Sequence, residues 1–196
     1  MKRFIVLFGL LLILLPATDV RAGDSTFGIA WGISVPTGAT KDFTSGVSFR
    51  GMSVEWRNFY MRDAAYGINV GWNVFNETDD STVFFDNGAI TGKRWSYINA
   101  IPIYGSWFKY FSDDKRSSRI YAGINAGTAW IEQRTEMNLY QLTEDNWHLA
   151  IAPEVGMNLP WDSFLGYVAV RYHYAFEAGD VKAQQWIEFK VGFGLD

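Results

Sequence analysis

The stretch that decides the fold closes the chain: Gln185-Trp186-Ile187-Glu188-Phe189-Lys190-Val191-Gly192-Phe193-Gly194-Leu195. Ile187, Phe189, Val191, Phe193 and Leu195 alternate strictly with Trp186, Glu188, Lys190, Gly192 and Gly194. Successive side chains of a strand point to opposite faces, so a period of two predicts a strand with one apolar face.

Seven more stripes precede it. The first sets Phe27, Ile29, Trp31, Ile33 and Val35 against Thr26, Gly28, Ala30, Gly32 and Ser34. The second, about Val47 to Asn58, sets Met52, Val54 and Trp56 against Gly51, Ser53, Glu55 and Arg57. The third sets Tyr66, Ile68, Val70, Trp72 and Val74 against Gly67, Asn69, Gly71 and Asn73. The fourth, about Tyr97 to Tyr110, is apolar on both faces and carries Pro102, which lacks a ladder donor. The fifth covers Ile120 to Trp130, the sixth Trp147 to Asn158 and the seventh Tyr167 to Tyr174.

In front of the stripes stands an export signal. Lys2 and Arg3 open it, Phe4 to Leu15 is apolar apart from Gly9, and Val20-Arg21-Ala22 supplies a small-residue cleavage site. The expected division is a signal peptide over 1–22 and one barrel domain over 23–196. Removing Lys2, Arg3, Arg21 and Asp19 from seventeen basic and twenty-one acidic residues leaves fourteen and twenty, a net charge near −6. That balance argues against a nucleic-acid partner, which needs a basic face. There is no cysteine, so no disulfide holds the exported fold. Beyond the signal no apolar run is long enough for a spanning helix, so a membrane crossing requires a closed barrel.

Strands of about ten residues, rising ~3.3 Å each at a tilt near 40°, stand about 25 Å tall, the apolar band of an outer-membrane barrel. The connections after strands one, three, five and seven are long: Pro36 to Gly46, Asn76 to Trp95, Glu132 to Asn146 and Glu177 to Gln184. Those after strands two, four and six are shorter, notably Pro160 to Ser163. Such alternation is the outer-membrane pattern.

A soluble lipocalin-like barrel would show the same stripes with the apolar face inward. The opposite face decides against it. Gly, Ala, Ser and Asn fill that face and suit a cramped lumen. Its charges also balance: Glu55, Arg57, Glu154, Arg171, Glu188 and Lys190 are three of each sign, with His173 beside them. These residues are expected to form a polar network inside the barrel, Glu154, Arg171 and Glu188 meeting near mid-height. A buried network must be fully partnered or it costs several kcal/mol. Aromatic girdles are expected at both ends of the apolar face. Trp56, Tyr66, Tyr110 and Phe164 form the one near the short turns; Trp72, Trp130, Trp147 and Tyr174 form the one near the long loops.

With these patterns in place, the mature chain resembles the small outer-membrane β-barrel family of OmpA and OmpX type. The likeness is carried by Ile101-Pro102-Ile103 running into Tyr110-Phe111, by Ile120-Tyr121-Ala122-Gly123, by Pro153-Glu154-Val155-Gly156 and by Phe189-Lys190-Val191-Gly192-Phe193-Gly194. These barrels usually finish on an aromatic residue recognised during assembly, whereas this sequence finishes Leu195-Asp196. Either Phe193 serves that role or assembly follows a variant signal. The family includes lipid A-modifying enzymes, so the resemblance raises an enzyme as an alternative. A deacylase of that kind uses a His-x-Ser pair with an acidic partner. The two histidines here give His148-Leu149-Ala150 and His173-Tyr174-Ala175, without the serine.

His148 and His173 are too few for a metal site. Asn76-Glu77-Thr78-Asp79-Asp80, with Asp86-Asn87-Gly88, carries oxygen ligands but not calcium-loop spacing. The second long loop is unusually apolar, with Val83, Phe84, Phe85, Ile90 and Trp95. It either binds a partner or lipopolysaccharide, or continues the hairpin as strand above the membrane. The expectation is therefore an all-β, eight-stranded, antiparallel, up-and-down transmembrane barrel. It is a non-enzymatic monomer without cofactor, set among outer-membrane lipids and lipopolysaccharide, structural or adhesive through its loops. The alternatives are a soluble ligand-binding barrel, a lipid A-modifying enzyme and a narrow pore.

Overall fold

A computed structural model describes residues 25–85, 88–112, 114, 117–137, 140–161 and 164–195; the expected signal peptide, 1–22, lies outside them. The elements run β1 (Ser25–Thr37), α1 (Gly38–Phe43), β2 (Ser48–Met61), β3 (Ala64–Phe85), β4 (Gly88–Tyr110), β5 (Arg119–Met137), β6 (Tyr140–Trp161), β7 (Phe164–Ala175) and β8 (Gln184–Leu195). Each strand pairs antiparallel with its neighbours in sequence. β1 pairs with β8, from Phe27 opposite Leu195 to Thr37 opposite Gln185, and the sheet closes into an eight-stranded barrel.

The period-two stripes face as their chemistry dictates. Ile29, Val54, Val70, Val155, Val170 and Val191 point outward and are exposed, while Ala30, Ser53, Asn69, Glu154 and Arg171 point inward and are buried. Val191 is 58% exposed against 1% for its neighbour Lys190. A barrel that turns valine to its surroundings and lysine to its interior is inverted relative to a soluble one. That sets the lipocalin-like alternative aside and fits a hydrocarbon surround.

Three features depart from the expectation, and the proline-bearing fourth strand is found as expected. The segment read as a long loop after the fifth strand is mostly strand, and the one after the third follows the second of its two expected readings, a hairpin continued as strand. β3 and β4 stay paired from Asn76 opposite Tyr97 to Phe85 opposite Gly88, and β5 and β6 from Glu132 opposite Asp145 to Met137 opposite Tyr140. Continuous hairpin pairing satisfies the backbone more completely than open loops would. The first long connection contains the short helix α1, entered through Gly38 at φ +52°. A Cβ at Gly38 would also meet the Gln185 amide, so glycine is required twice over.

Pro102 lies within a continuous β4. The β3–β4 ladder is interrupted at Gly71 and Trp72 and resumes in the same register, Val70 opposite Ile103 and Asn73 opposite Ala100. On its other side Pro102 pairs with Ala129 of β5 without a break. Gly71 makes the room, since a Cβ there would stand 3.0 Å from the proline Cγ.

Tyr110 is not a girdle residue. It is 1% exposed and points into the lumen, because β4 turns Ile103, Trp107 and Lys109 outward and Tyr104, Phe108 and Tyr110 inward. With both faces of β4 apolar, the sequence does not mark which is which. Trp107 takes the outward place near the short turns, its indole N–H donating to the Tyr60 hydroxyl at 2.9 Å.

Candidate functional site

Two regions carry polar groups in unusual settings: a charged belt inside the barrel and a sheet that stands above its mouth. The belt is built by register. Glu154 of β6 lies opposite Arg171 of β7, which lies opposite Glu188 of β8, while Glu55 of β2 lies opposite Asn69 of β3. All are buried.

Arg171 joins the two halves. Its Nε donates to Glu154 Oε2 at 2.5 Å, its Nη1 to Asn69 Oδ1 at 2.7 Å and its Nη2 to Glu55 Oε2 at 3.4 Å. Arg57 pairs with Glu55 through its Nε. Its remaining nitrogens donate to the hydroxyls of Tyr110 at 2.8 Å and Tyr121 at 3.0 Å. The Tyr121 hydroxyl passes the bond on to Glu154 Oε1 at 2.8 Å. Beneath the guanidinium lies the Phe108 ring, 4.0 Å away, a cation–π contact in a desolvated setting. Lys190 Nζ stands 3.7 Å from both Glu55 and Glu154, equalising the charges at three and three.

His173 sits at the edge of the belt. Its Nε2 bonds Glu188 Oε2 at 3.0 Å, its Nδ1 bonds the Tyr104 hydroxyl at 3.1 Å, and its ring stacks on Trp186 at 4.4 Å. A Glu–His–Tyr chain has the polarity of a nucleophile-activating relay. Tyr104, His173 and Trp186 are each no more than 1% exposed, so the chain is buried inside the lumen. His148 is separately engaged through Nδ1 with the Phe176 carbonyl at 2.7 Å. No metal-binding cluster occurs among the described residues. Of the acidic run after the third strand, Asp79 pairs with Arg94 and Glu77 accepts from the Ser45 hydroxyl at 2.7 Å.

Apolar side chains pack inside the lumen on both sides of the belt. Phe75, Ile98, Ile131 and Trp186 pack toward the outer end, with Phe43 of α1 against them. Phe59, Ala65, Phe108, Tyr110 and Tyr121 pack toward the short-turn end. A cavity of about 10 Å³ lies between Thr26, Glu55, Arg57, Asn158 and Tyr167. That is room for roughly one water.

On the outside, Trp56 and Tyr66 meet edge to face at 6.0 Å, and Phe164 packs on Trp161 at 5.6 Å. Toward the other end, the Trp72 indole donates to Asn99 and the Trp130 indole to Asp145, Trp147 is exposed, and Tyr174 packs on Phe176. Sequence reasoning missed Tyr104, Tyr121 and Asn69 as network members. Tyr121 and Asn69 were visible as inward positions of their stripes; Tyr104 was hidden by the two-sided β4.

Above the barrel, β3 to β6 continue as a four-stranded sheet, β4 pairing with β5 as far as Arg94 opposite Met137. A cleft of about 260 Å³ opens at its foot, lined by Asp42, Phe43, Gln133, Asp180, Lys182 and Gln184.

The architecture is that of the small outer-membrane β-barrels. No protein family matches the sequence, and no curated protein sequence does either. Among solved structures, Neisserial surface protein A aligns with a TM-score of 0.53 at 11% identity, over 87% of this chain and 94% of that one. Ail, the attachment invasion locus protein of Yersinia pestis, solved with the heparin analogue sucrose octasulfate, aligns at 0.47 and 10%, over 87% and 95%. The N-terminal barrel of Pseudomonas aeruginosa OprF aligns at 0.44 and 13%, over 87% and 97%. At these identities the likeness is one of fold.

Proposed function

We propose that this protein is a non-enzymatic barrel of the bacterial outer membrane that presents a rigid β-sheet platform for binding outside the cell. The observation that carries the reading is the continuation of β3, β4, β5 and β6 beyond the barrel as one sheet, on a lumen filled by a charged belt and buried apolar clusters. The outward apolar stripes meet lipid, and the rings near both ends meet headgroups and lipopolysaccharide. A packed lumen transmits no solute, and its Glu–His–Tyr chain meets no substrate. What remains exposed and built is the sheet, and loops and extensions on a rigid scaffold are where such proteins carry function.

The test is adhesion. Intact cells producing the chain bind a surface coated with extracellular-matrix protein, and cells producing a variant whose β5–β6 hairpin is shortened to a turn at Glu132 do not. The chain and the variant must both show the boiling-dependent gel shift of a folded barrel. Equal adhesion by the two overturns the platform reading.

A further inference from the structure

The cleft at the barrel mouth is walled by separate parts of the chain. Asp42 and Phe43 come from α1, Gln133 from β5, and Asp180, Lys182 and Gln184 from the last long connection and the start of β8. These walls are held in place. The Thr40 hydroxyl accepts from the Gln185 backbone N–H at 2.7 Å and donates to the Gln184 side-chain oxygen at 2.9 Å, which fastens α1 to β8. Ala178 and Val181 exchange two backbone hydrogen bonds, and Val181 is buried. Between them Gly179, at φ +59°, lies so close to β6 that a Cβ there would meet the Asn146 amide at 2.6 Å. Walls that need no ordering lower the entropic cost of binding.

Charges of both signs line this one space. Asp42, Asp180 and Lys182 are all exposed, and none of them forms an ion pair among the described residues. Opposite charges that share a cleft of about 260 Å³ without touching leave both signs available. The Gln133 side chain is half-buried and likewise has no hydrogen-bond partner among the described residues. Phe43 adds an apolar wall, fixed by its packing against the buried cluster at the outer end of the lumen.

The charges select the occupant. An anion alone meets Lys182 but also two carboxylates, and a cation alone meets the carboxylates but also Lys182. A neutral molecule strips water from three charges and returns no counter-charge, which is costly. We propose that the cleft binds a small zwitterion. Its anionic group meets Lys182, its ammonium meets Asp42 and Asp180, and its body lies against Phe43, whose ring face also attracts the ammonium. The volume falls just below the roughly 300–1,000 Å³ of pockets for drug-sized molecules, so one small unit fills it. An α-amino acid and a phosphocholine-type headgroup share this chemistry. The site does not rest on the platform reading, because it lies at the barrel mouth and needs no partner on the sheet.

The test is a titration of the purified barrel followed by amide shifts in NMR, in a nonionic detergent, since a zwitterionic one would compete. The probes are phenylalanine and glycerophosphocholine. Each is set against analogues carrying one sign of charge: phenethylamine and phenylacetate for the first, choline and glycerol phosphate for the second. At least one zwitterion is expected to shift the amides of Asp42, Gln133 and Lys182. It binds on the order of tenfold tighter than its one-sign analogues, the scale of a hydrogen bond to a charged group. Tighter binding of phenylalanine assigns the site to amino acids, and tighter binding of glycerophosphocholine assigns it to lipid headgroups. Lys182→Met is expected to abolish the preference over the cationic analogue, and Asp42→Asn with Asp180→Asn the preference over the anionic one. Both keep the boiling-dependent gel shift. Lys41→Met, on the same helix but outside the cleft, binds as wild type. No shift with either zwitterion, equal binding by the one-sign analogues, or an unchanged preference in either variant overturns the inference.

Discussion

Arg171 and Glu154 face each other across the β6–β7 ladder, both buried, with Arg171 Nε donating to Glu154 Oε2 at 2.5 Å. Around this pair the lumen carries a dense charged network, in which Lys190 Nζ and the Tyr167 hydroxyl are buried without a hydrogen-bond partner. Removing one partner of such a network strands the other charge where water cannot reach it.

Arg171→Ala is therefore expected to destabilise the barrel by about 3–5 kcal/mol, since Glu154, Glu55 and the Asn69 carbonyl lose a common donor. The midpoint of urea unfolding in lipid vesicles, followed by gel mobility, reads this directly. A change near zero would show that water replaces the arginine and that the belt is not a closed network.

Tyr110→Phe and Trp107→Phe distinguish the two faces of β4. The first deletes the hydroxyl that accepts from Arg57 Nη1 and is expected to cost about 1–3 kcal/mol. The second leaves an outward ring in place and is expected to cost less. The reverse order would return Tyr110 to the outer girdle.

Gly71 and Gly105 offer a matched pair of glycine substitutions. Gly71→Ala presses on the Pro102 ring, and overpacking of this kind costs about 1–3 kcal/mol. Gly105→Ala meets nothing closer than the Ala126 carbonyl at 3.8 Å and is expected to be tolerated. Equal stability of the two variants would mean that the interrupted ladder has slack that the structure does not show.

The packed lumen predicts electrical silence. Reconstituted in a planar bilayer, the barrel is expected to show no unitary steps, because Trp186, Phe75 and Ile98 close the space above the belt. Reproducible conductance, raised further by Glu188→Ala, would establish the pore reading instead.

How much of this was legible in the sequence depended on contrast between faces. Strands such as β1 and β8, where large apolar residues alternate with glycine and charge, gave their direction from one line of text. So did the balance of Glu55, Arg57, Glu154, Arg171, Glu188 and Lys190. β4 was opaque because Tyr104, Phe108 and Tyr110 on its inner face are as apolar as Ile103 and Trp107 on its outer face. The outer sheet was opaque for another reason. Asn76 to Asp80 and Glu132 to Glu136 are polar on both sides, as suits strands wet on both faces, and a polar run reads as loop. Only pairing, a property of two segments at once, shows that they are strands.

The central claim is that the apolar stripes face lipid and the charges face inward. Single-tryptophan variants reconstituted with bromine-labelled lipids test it most directly. Trp31, Trp72 or Trp107, all outward and exposed, should be quenched strongly, and Trp186, 1% exposed inside the lumen, should be quenched little. Strong quenching of Trp186 with the outward rings left bright would contradict the account, for it would mean that the barrel shows its other face to the membrane.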